Sequence, residues 1–181
     1  MDTSKNRILN ITYVAAGAAL LAVCAWLTIP FGPVPFTMQT FAVFAIAAAF
    51  GWKRSVLSVL IYLGIGAVGA PVFSGFGGGL GALLGVTGGY LIGFLFTALI
   101  IGFAADRFPD KTLPLICSVA LGMLAYYTLG SVWFMVVYTR STGSIGMVSI
   151  LAKCVFPYII PDAAKGVLAI LVAKRLRKVV K

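Results

Sequence analysis

At 181 residues, with 61% apolar and only 10% charged side chains, the chain falls in the membrane class before any local pattern is read. A mean hydropathy of +1.09 excludes an ordinary soluble core, and the absence of His and Glu leaves almost no material for acid–base or metal catalysis, so no enzyme is expected. A formal charge of +10 would suggest nucleic acid in a soluble protein, but here long uncharged stretches separate the basic residues, which therefore mark topology; no nucleic-acid partner is expected.

A membrane crossing takes about 20 apolar residues, so the charge-free runs count the spans. Residues 8–52 are 45 uncharged residues, predicting two crossings with a turn at the proline-rich segment 30–35. The first covers about 8–29. Its Ala15-x-x-x-Ala19 and Ala18-x-x-x-Ala22 spacings make a flat small-residue face for another helix, of this chain or of a partner. Leu-Ala-Val-Cys at 21–24 faintly resembles a lipoprotein cleavage site, yet Ala-Trp-Leu-Thr-Ile follows instead of a polar mature start; an uncleaved helix is expected. Residues 55–105, 51 uncharged residues, predict two more crossings joined by the glycine-rich 64–89. The spans 36–51 and 55–70 are short, and a tilted or partly buried hairpin is their alternative. The others cover 84–105, 113–138 and 145–175, the last broken by Pro157 and Pro161. This predicts an all-α integral membrane protein: one transmembrane domain over 1–181 with six spanning helices.

The basic clusters are Lys5 and Arg7, Lys53 and Arg54, Arg107 and Lys111, and Lys174, Arg175, Arg177, Lys178 and Lys181. With six spans they fall on one side, which the positive-inside rule assigns to the cytoplasm together with both termini. The opposite connections are rich in Pro, Gly and aromatics. Such backbone is tolerated at membrane depth only where protein covers it or it lines a cavity, so these connections are expected to act as lids or walls.

Asp162 and Lys165 stand apart from this pattern. Asp2, Asp106 and Asp110 each lie beside Lys or Arg in a connecting segment, whereas Asp162 sits in the apolar run 161–171, three residues before Lys165 on the same helix face. An ionisable group at hydrocarbon depth costs about 2.5–3.5 kcal/mol on insertion scales, and by default marks a functional site. Pro161 suits a first helical turn, so the bland reading makes Asp162 an N-cap and Lys165 its i,i+3 ion partner. From Asp162 to Lys174 is roughly 18 Å of helix, placing the pair in the outer half of the membrane.

Other motifs carry less. Residues 64–69 match G-x-G-x-x-G, but no acidic residue follows at the roughly 20-residue distance that ribose recognition needs. No G-x-x-x-x-G-K-[ST] phosphate loop occurs, so energy for any uptake comes from elsewhere. Cys24, Cys117 and Cys154 are single and apolar in context and are expected to be small core residues. The glycines of 75–81 and 87–90 permit close approach to a ligand, or close helix packing.

The motifs PVPFTMQTF (33–41), GAPVFSGFGGGLG (69–81), GVTGGYLIGF (85–94) and PYIIPDAAK (157–165) together resemble the BioY family, the biotin-capturing S components of energy-coupling-factor (ECF) transporters. Val86 departs from the family's common Gly-Pro-Thr-Gly-Gly. The resemblance covers nearly the whole chain. It implies a six-helix S-component bundle in a bacterial or archaeal cytoplasmic membrane that takes up biotin, as transported substrate and without a cofactor, alone or with partners. Those partners are a coupling transmembrane subunit, met by Ala15 and Ala19 amid membrane lipid, and two ATPase subunits. Biotin's ureido ring offers N–H donors and a carbonyl, which suit the acceptor Asp162 and the donor Lys165. Gly75, Gly78 and Tyr90 would line the pocket wall, with Phe36, Gln39, Phe73, Tyr127 and Trp133 enclosing rings and chain. The same polar pair would also serve a permease subunit for another small vitamin, and a non-transporting structural subunit would need the pair only as a cap.

Overall fold

The computed structural model describes residues 3–109, 111–141, 143 and 145–180; Asp2, Asp110 and Lys181, and the side chains of Lys5 and Lys178, lie outside the described residues. Helix α1 (Thr3–Trp26) is followed by a two-stranded antiparallel ribbon of β1 (Thr28–Ile29) and β2 (Phe36–Thr37), with Thr28 opposite Thr37. Then come α2 (Gln39–Ala67), a 3-10 turn at Ser74–Phe76, the short α3 (Leu80–Leu83), α4 (Gly88–Arg107), α5 (Thr112–Ser141), α6 (Met147–Cys154) and α7 (Phe156–Val180). The fold is nearly all-helical, and five stretches are long and apolar enough to cross a membrane, those within α1, α2, α4, α5 and α7.

Helix α2 departs from a straight rod. Gly51 takes φ +79° and ψ 176° in its middle, a left-handed value that a side chain would strain. Gln39 Nε2 nevertheless donates to Tyr62 Oη at 2.6 Å, although 23 residues of straight helix would hold them about 34 Å apart. The chain therefore reverses at Gly51, and the arms 39–50 and 52–67 lie side by side. The reversal is fastened by Asp106, whose Oδ2 accepts the Trp52 backbone N–H at 3.1 Å.

The basic segments meet at the Gly51 end. Arg54 Nε donates to Asn10 Oδ1 at 2.8 Å, Arg177 Nε to the Ala48 carbonyl at 2.6 Å, and Arg177 Nη1 to the Pro109 carbonyl at 3.3 Å. The start of α1, the α2 reversal, the α4–α5 connection and the end of α7 thus share one end of the bundle. The β-ribbon, the glycine-rich connection and α6 share the other.

The buried apolar residues form one cluster drawn from α1, α2, α4, α5, α6 and α7, with Phe73 from the glycine-rich connection. Close approach of α4 to α5 depends on Gly93, where a methyl group would fall 2.7 Å from the Tyr126 Cα. Outward faces stay apolar, with Ile8, Leu57, Phe103, Leu124 and Leu168 exposed, as a lipid-facing surface requires. On α1, Ala18 and Ala22 are buried in the bundle, whereas Ala15 and Ala19 face outward.

Three expectations change. The stretch 145–175 is two helices, because Val155 leaves helical geometry after α6 (φ −126°, ψ −60°). The last helix starts five residues before Pro161, at Phe156, with Pro157 in its first turn; Pro161 lies inside α7, where its ring removes one backbone bond without ending the helix. Cys24 and Cys154 are buried, but Cys117 is exposed on α5, on a face where a small apolar thiol suits lipid as well as core.

Candidate ligand-binding site

Because α7 begins at Phe156, Asp162 is in its second turn and serves as no N-cap. Its carboxylate instead binds side chains from two other elements, α2 and α5, and from Lys165 of α7 itself. Oδ1 accepts from Thr40 Oγ1 at 2.9 Å and from Lys165 Nζ at 2.8 Å. Oδ2 accepts from Tyr127 Oη at 2.8 Å and from Tyr126 Oη. Adjacent tyrosines point about 100° apart on a helix; here they straddle the carboxylate, with ring centroids 4.3 Å apart. Lys165 Nζ also donates to the Thr37 carbonyl at 2.7 Å and to Thr40 Oγ1 at 3.2 Å, and stands 3.9 Å from the Phe36 ring centroid. A carboxylate has about four acceptor positions and an ammonium three donors, so both ions are saturated. That is the condition for keeping charges at 3% and 5% exposure.

The pair opens onto a cavity of about 290 Å³, close to the lower end of ligand pockets, roughly 300–1,000 Å³. The β-ribbon, α2, the glycine-rich connection, α4, α5, α6 and α7 all contribute to its wall. Of the residues expected from the sequence, Asp162, Lys165, Tyr90, Phe73, Phe36, Gln39 and Tyr127 line it. Gly75, Gly78 and Trp133 do not. Gly75 provides the positive φ, +65°, of the 3-10 turn, and Gly78 lies against the backbone carbonyls of Ala70 and Gly69. These glycines shape the connection so that Phe73 and Ser74 face the cavity. Trp133 Nε1 donates to the Gly85 carbonyl at 2.9 Å and its side chain abuts Gly89, so it braces the start of α4 from behind.

Sequence reasoning missed Thr37, Thr40, Tyr126, Tyr158 and Cys154, all in the wall. Threonine in an apolar helix is too common to single out, but the adjacent tyrosines 126 and 127 were a usable signal: buried phenols need acceptors, and Asp162 was the unassigned acid. Tyr158 Oη binds the carbonyls of Phe31, at 2.6 Å, and Val34, tying the loop between β1 and β2 to α7 over the cavity. Among the described residues no cluster of three His, Cys, Asp or Glu could hold a metal ion.

The sequence pattern of the BioY family matches residues 1–181. The chain belongs to the BioY family. It is 42% identical to the biotin transporter BioY of Thermotoga maritima over 88% of this chain and 90% of that protein. It is 35% identical to the probable biotin transporter BioY of Pyrococcus horikoshii, over 93% and 96%. The crystal structure of the S-component for biotin from an ECF-type ABC transporter matches with a TM-score of 0.84 and 28% identity, covering 98% of this chain and 95% of that one. This BioY-family chain is accordingly a multi-pass membrane transport protein and not an enzyme.

Proposed function

We propose that this chain captures biotin and serves as the substrate-binding subunit of an ECF-type transporter in the cytoplasmic membrane of a bacterium or archaeon. The observation that carries the reading is the buried Asp162–Lys165 pair opening onto a cavity of small-molecule size, in a chain so similar to named biotin transporters. Biotin's ureido N–H groups go to Asp162 and its ureido carbonyl to Lys165. Both ions are already saturated, so binding is an exchange. Each ureido contact displaces a hydroxyl or carbonyl partner, and the displaced groups, Tyr127 Oη and Thr40 Oγ1 foremost, turn to the ligand.

Counting the two arms of α2 separately raises the five apolar stretches to six passes, with the basic end and both termini in the cytoplasm and the cavity on the outside. The β-ribbon loop and the glycine-rich connection then lid the cavity. The outward face of Ala15 and Ala19 meets the coupling transmembrane subunit, and two ATPase subunits supply energy that this chain, without a phosphate loop, does not. The test is labelled-biotin binding to the purified chain. Saturable binding competed by unlabelled biotin is expected; no saturable binding would sink the proposal.

A further inference from the structure

A second hollow, of about 780 Å³, lies away from the Asp162 cavity, at the basic end of the bundle. It is a groove between α1 and the second arm of α2, with Ile11, Val14 and Ala15 on one side and Leu57 and Ile61 on the other. Ile11, Leu57 and Ile61 are exposed, so the groove opens sideways, toward lipid in a chain with five stretches long and apolar enough to cross a membrane. From Arg54 to Ile61 its apolar side rises about 10 Å along the helix.

At the foot of the groove stand Trp52, Lys53 and Arg54. Arg54 is held in place: its Nε donates to Asn10 Oδ1 at 2.8 Å, and its guanidinium lies 4.9 Å from the centroid of the Tyr13 ring. Its two terminal nitrogens have no partner among the described residues. Lys53 is exposed and has only the Trp52 ring, 5.5 Å from Nζ to centroid. Asp106 also borders the groove, but its carboxylate is bonded to the Trp52 N–H and pairs with neither cation. Other cations of this end are occupied by protein: Arg177 binds the carbonyls of Ala48 and Pro109, and Lys174 the Thr112 hydroxyl.

Two cations with donors to spare, at the foot of a lipid-facing apolar groove, complement an amphiphile with a phosphate head and acyl chains. A guanidinium fork matches phosphate oxygens and an ammonium adds a point charge, while Trp52 suits the headgroup level. We propose that this groove binds one anionic phospholipid, with its phosphate between Lys53 and Arg54 and an acyl chain along Ile11, Leu57 and Ile61. Ala15 bounds the far end, so bound lipid and the coupling subunit proposed above contend for the same stretch of α1. The site itself needs only a chain that spans a membrane, and failure of biotin binding would leave it standing.

The test is native mass spectrometry of the full chain in detergent with equal dioleoylphosphatidylglycerol and dioleoylphosphatidylcholine. The first bound lipid should be the anionic one by at least about tenfold, the scale for two cations near a headgroup. Lys53→Gln with Arg54→Gln should abolish that preference. Lys174→Gln with Arg175→Gln, which removes equal charge from the same end, should leave it within about twofold. Glycerol 3-phosphate, a head without chains, should not compete. No preference in the unmodified chain overturns the proposal and leaves the groove to another protein surface. Equal losses in both double variants mean a general attraction of the basic end, and competition by glycerol 3-phosphate means a simple anion site; either overturns it. Should the first double variant fail to fold, Lys53→Gln alone against Lys174→Gln carries the comparison. A loss of about fivefold is then expected for Lys53→Gln, and an equal loss in both, or none, overturns the site.

Discussion

Around Asp162 four donors converge on one carboxylate, whereas the buried hydroxyls of Tyr90, a residue of the same cavity's wall, and of Ser131, outside that wall, have at most each other among the described residues. The first cluster is complete in itself, and the bundle depends on it, since each ion is tolerable at this depth only with its partners present. The second holds no ion, so its hydroxyls contribute far less to the fold than the Asp162 cluster does. The difference separates side chains whose loss damages fold and binding together from hydroxyls whose loss the fold tolerates.

The sharpest way to break that contrast is Asp162→Asn, which strands the Lys165 ammonium in the core. It should lower stability by about 3–5 kcal/mol and biotin affinity by roughly a hundredfold or more, equivalent to about 2.8 kcal/mol, read by thermal unfolding in detergent and by equilibrium binding. Adding Lys165→Met to that variant should restore much of the stability and none of the binding. Next in size, Tyr127→Phe removes one donor to the carboxylate and should cost about 1.5–3 kcal/mol. Its cycle with Asp162→Asn should be non-additive; additive unfolding energies would show that the phenol does not act through Asp162. Thr40→Val deletes a donor to Asp162 and an acceptor for Lys165 together and should cost about 1–3 kcal/mol in the same assay. Smallest of all, Tyr90→Phe should change ligand-free stability by less than about 1 kcal/mol, because its hydroxyl has at most the neighbouring Ser131 hydroxyl to bind. A clear drop in its melting temperature would erase the distinction between the clusters.

How much of this was legible in the sequence depended on whether a residue's role is set locally. Asp162 and Lys165 could be found because no nearby cluster accounts for them and i,i+3 spacing already places them together. The reversal at Gly51 was partly legible, since the flanking stretches are short and a hairpin was the stated alternative, but the φ of +79° that makes it is a property of the packed chain. Pro161 misled, because a proline that begins a helix and one carried within its second turn look alike in sequence. Charge counting merged α6 with α7 because the lone Lys153, two residues before Val155, forms no basic cluster of the kind that separates the other spans. Trp133 shows the limit from the other side: an aromatic at the right level of α5 still turned away from the cavity, because Gly88 and Gly89 left room for it behind α4. Thr37 and Thr40 were invisible because their roles depend on how β2 and the start of α2 are set against α7.

Cys154 gives the cavity a reporter of its own. Its side chain is 1% exposed and belongs to the wall, whereas Cys117 is exposed on α5 and Cys24 is buried in the core. With Cys117 replaced by Ala, a small alkylating reagent reaches Cys154 chiefly through the cavity, so the rate of thiol capture follows how often the loops above it part. A bound ligand should footprint that one sulfur, making occupancy measurable on the native wall without any label attached to the ligand.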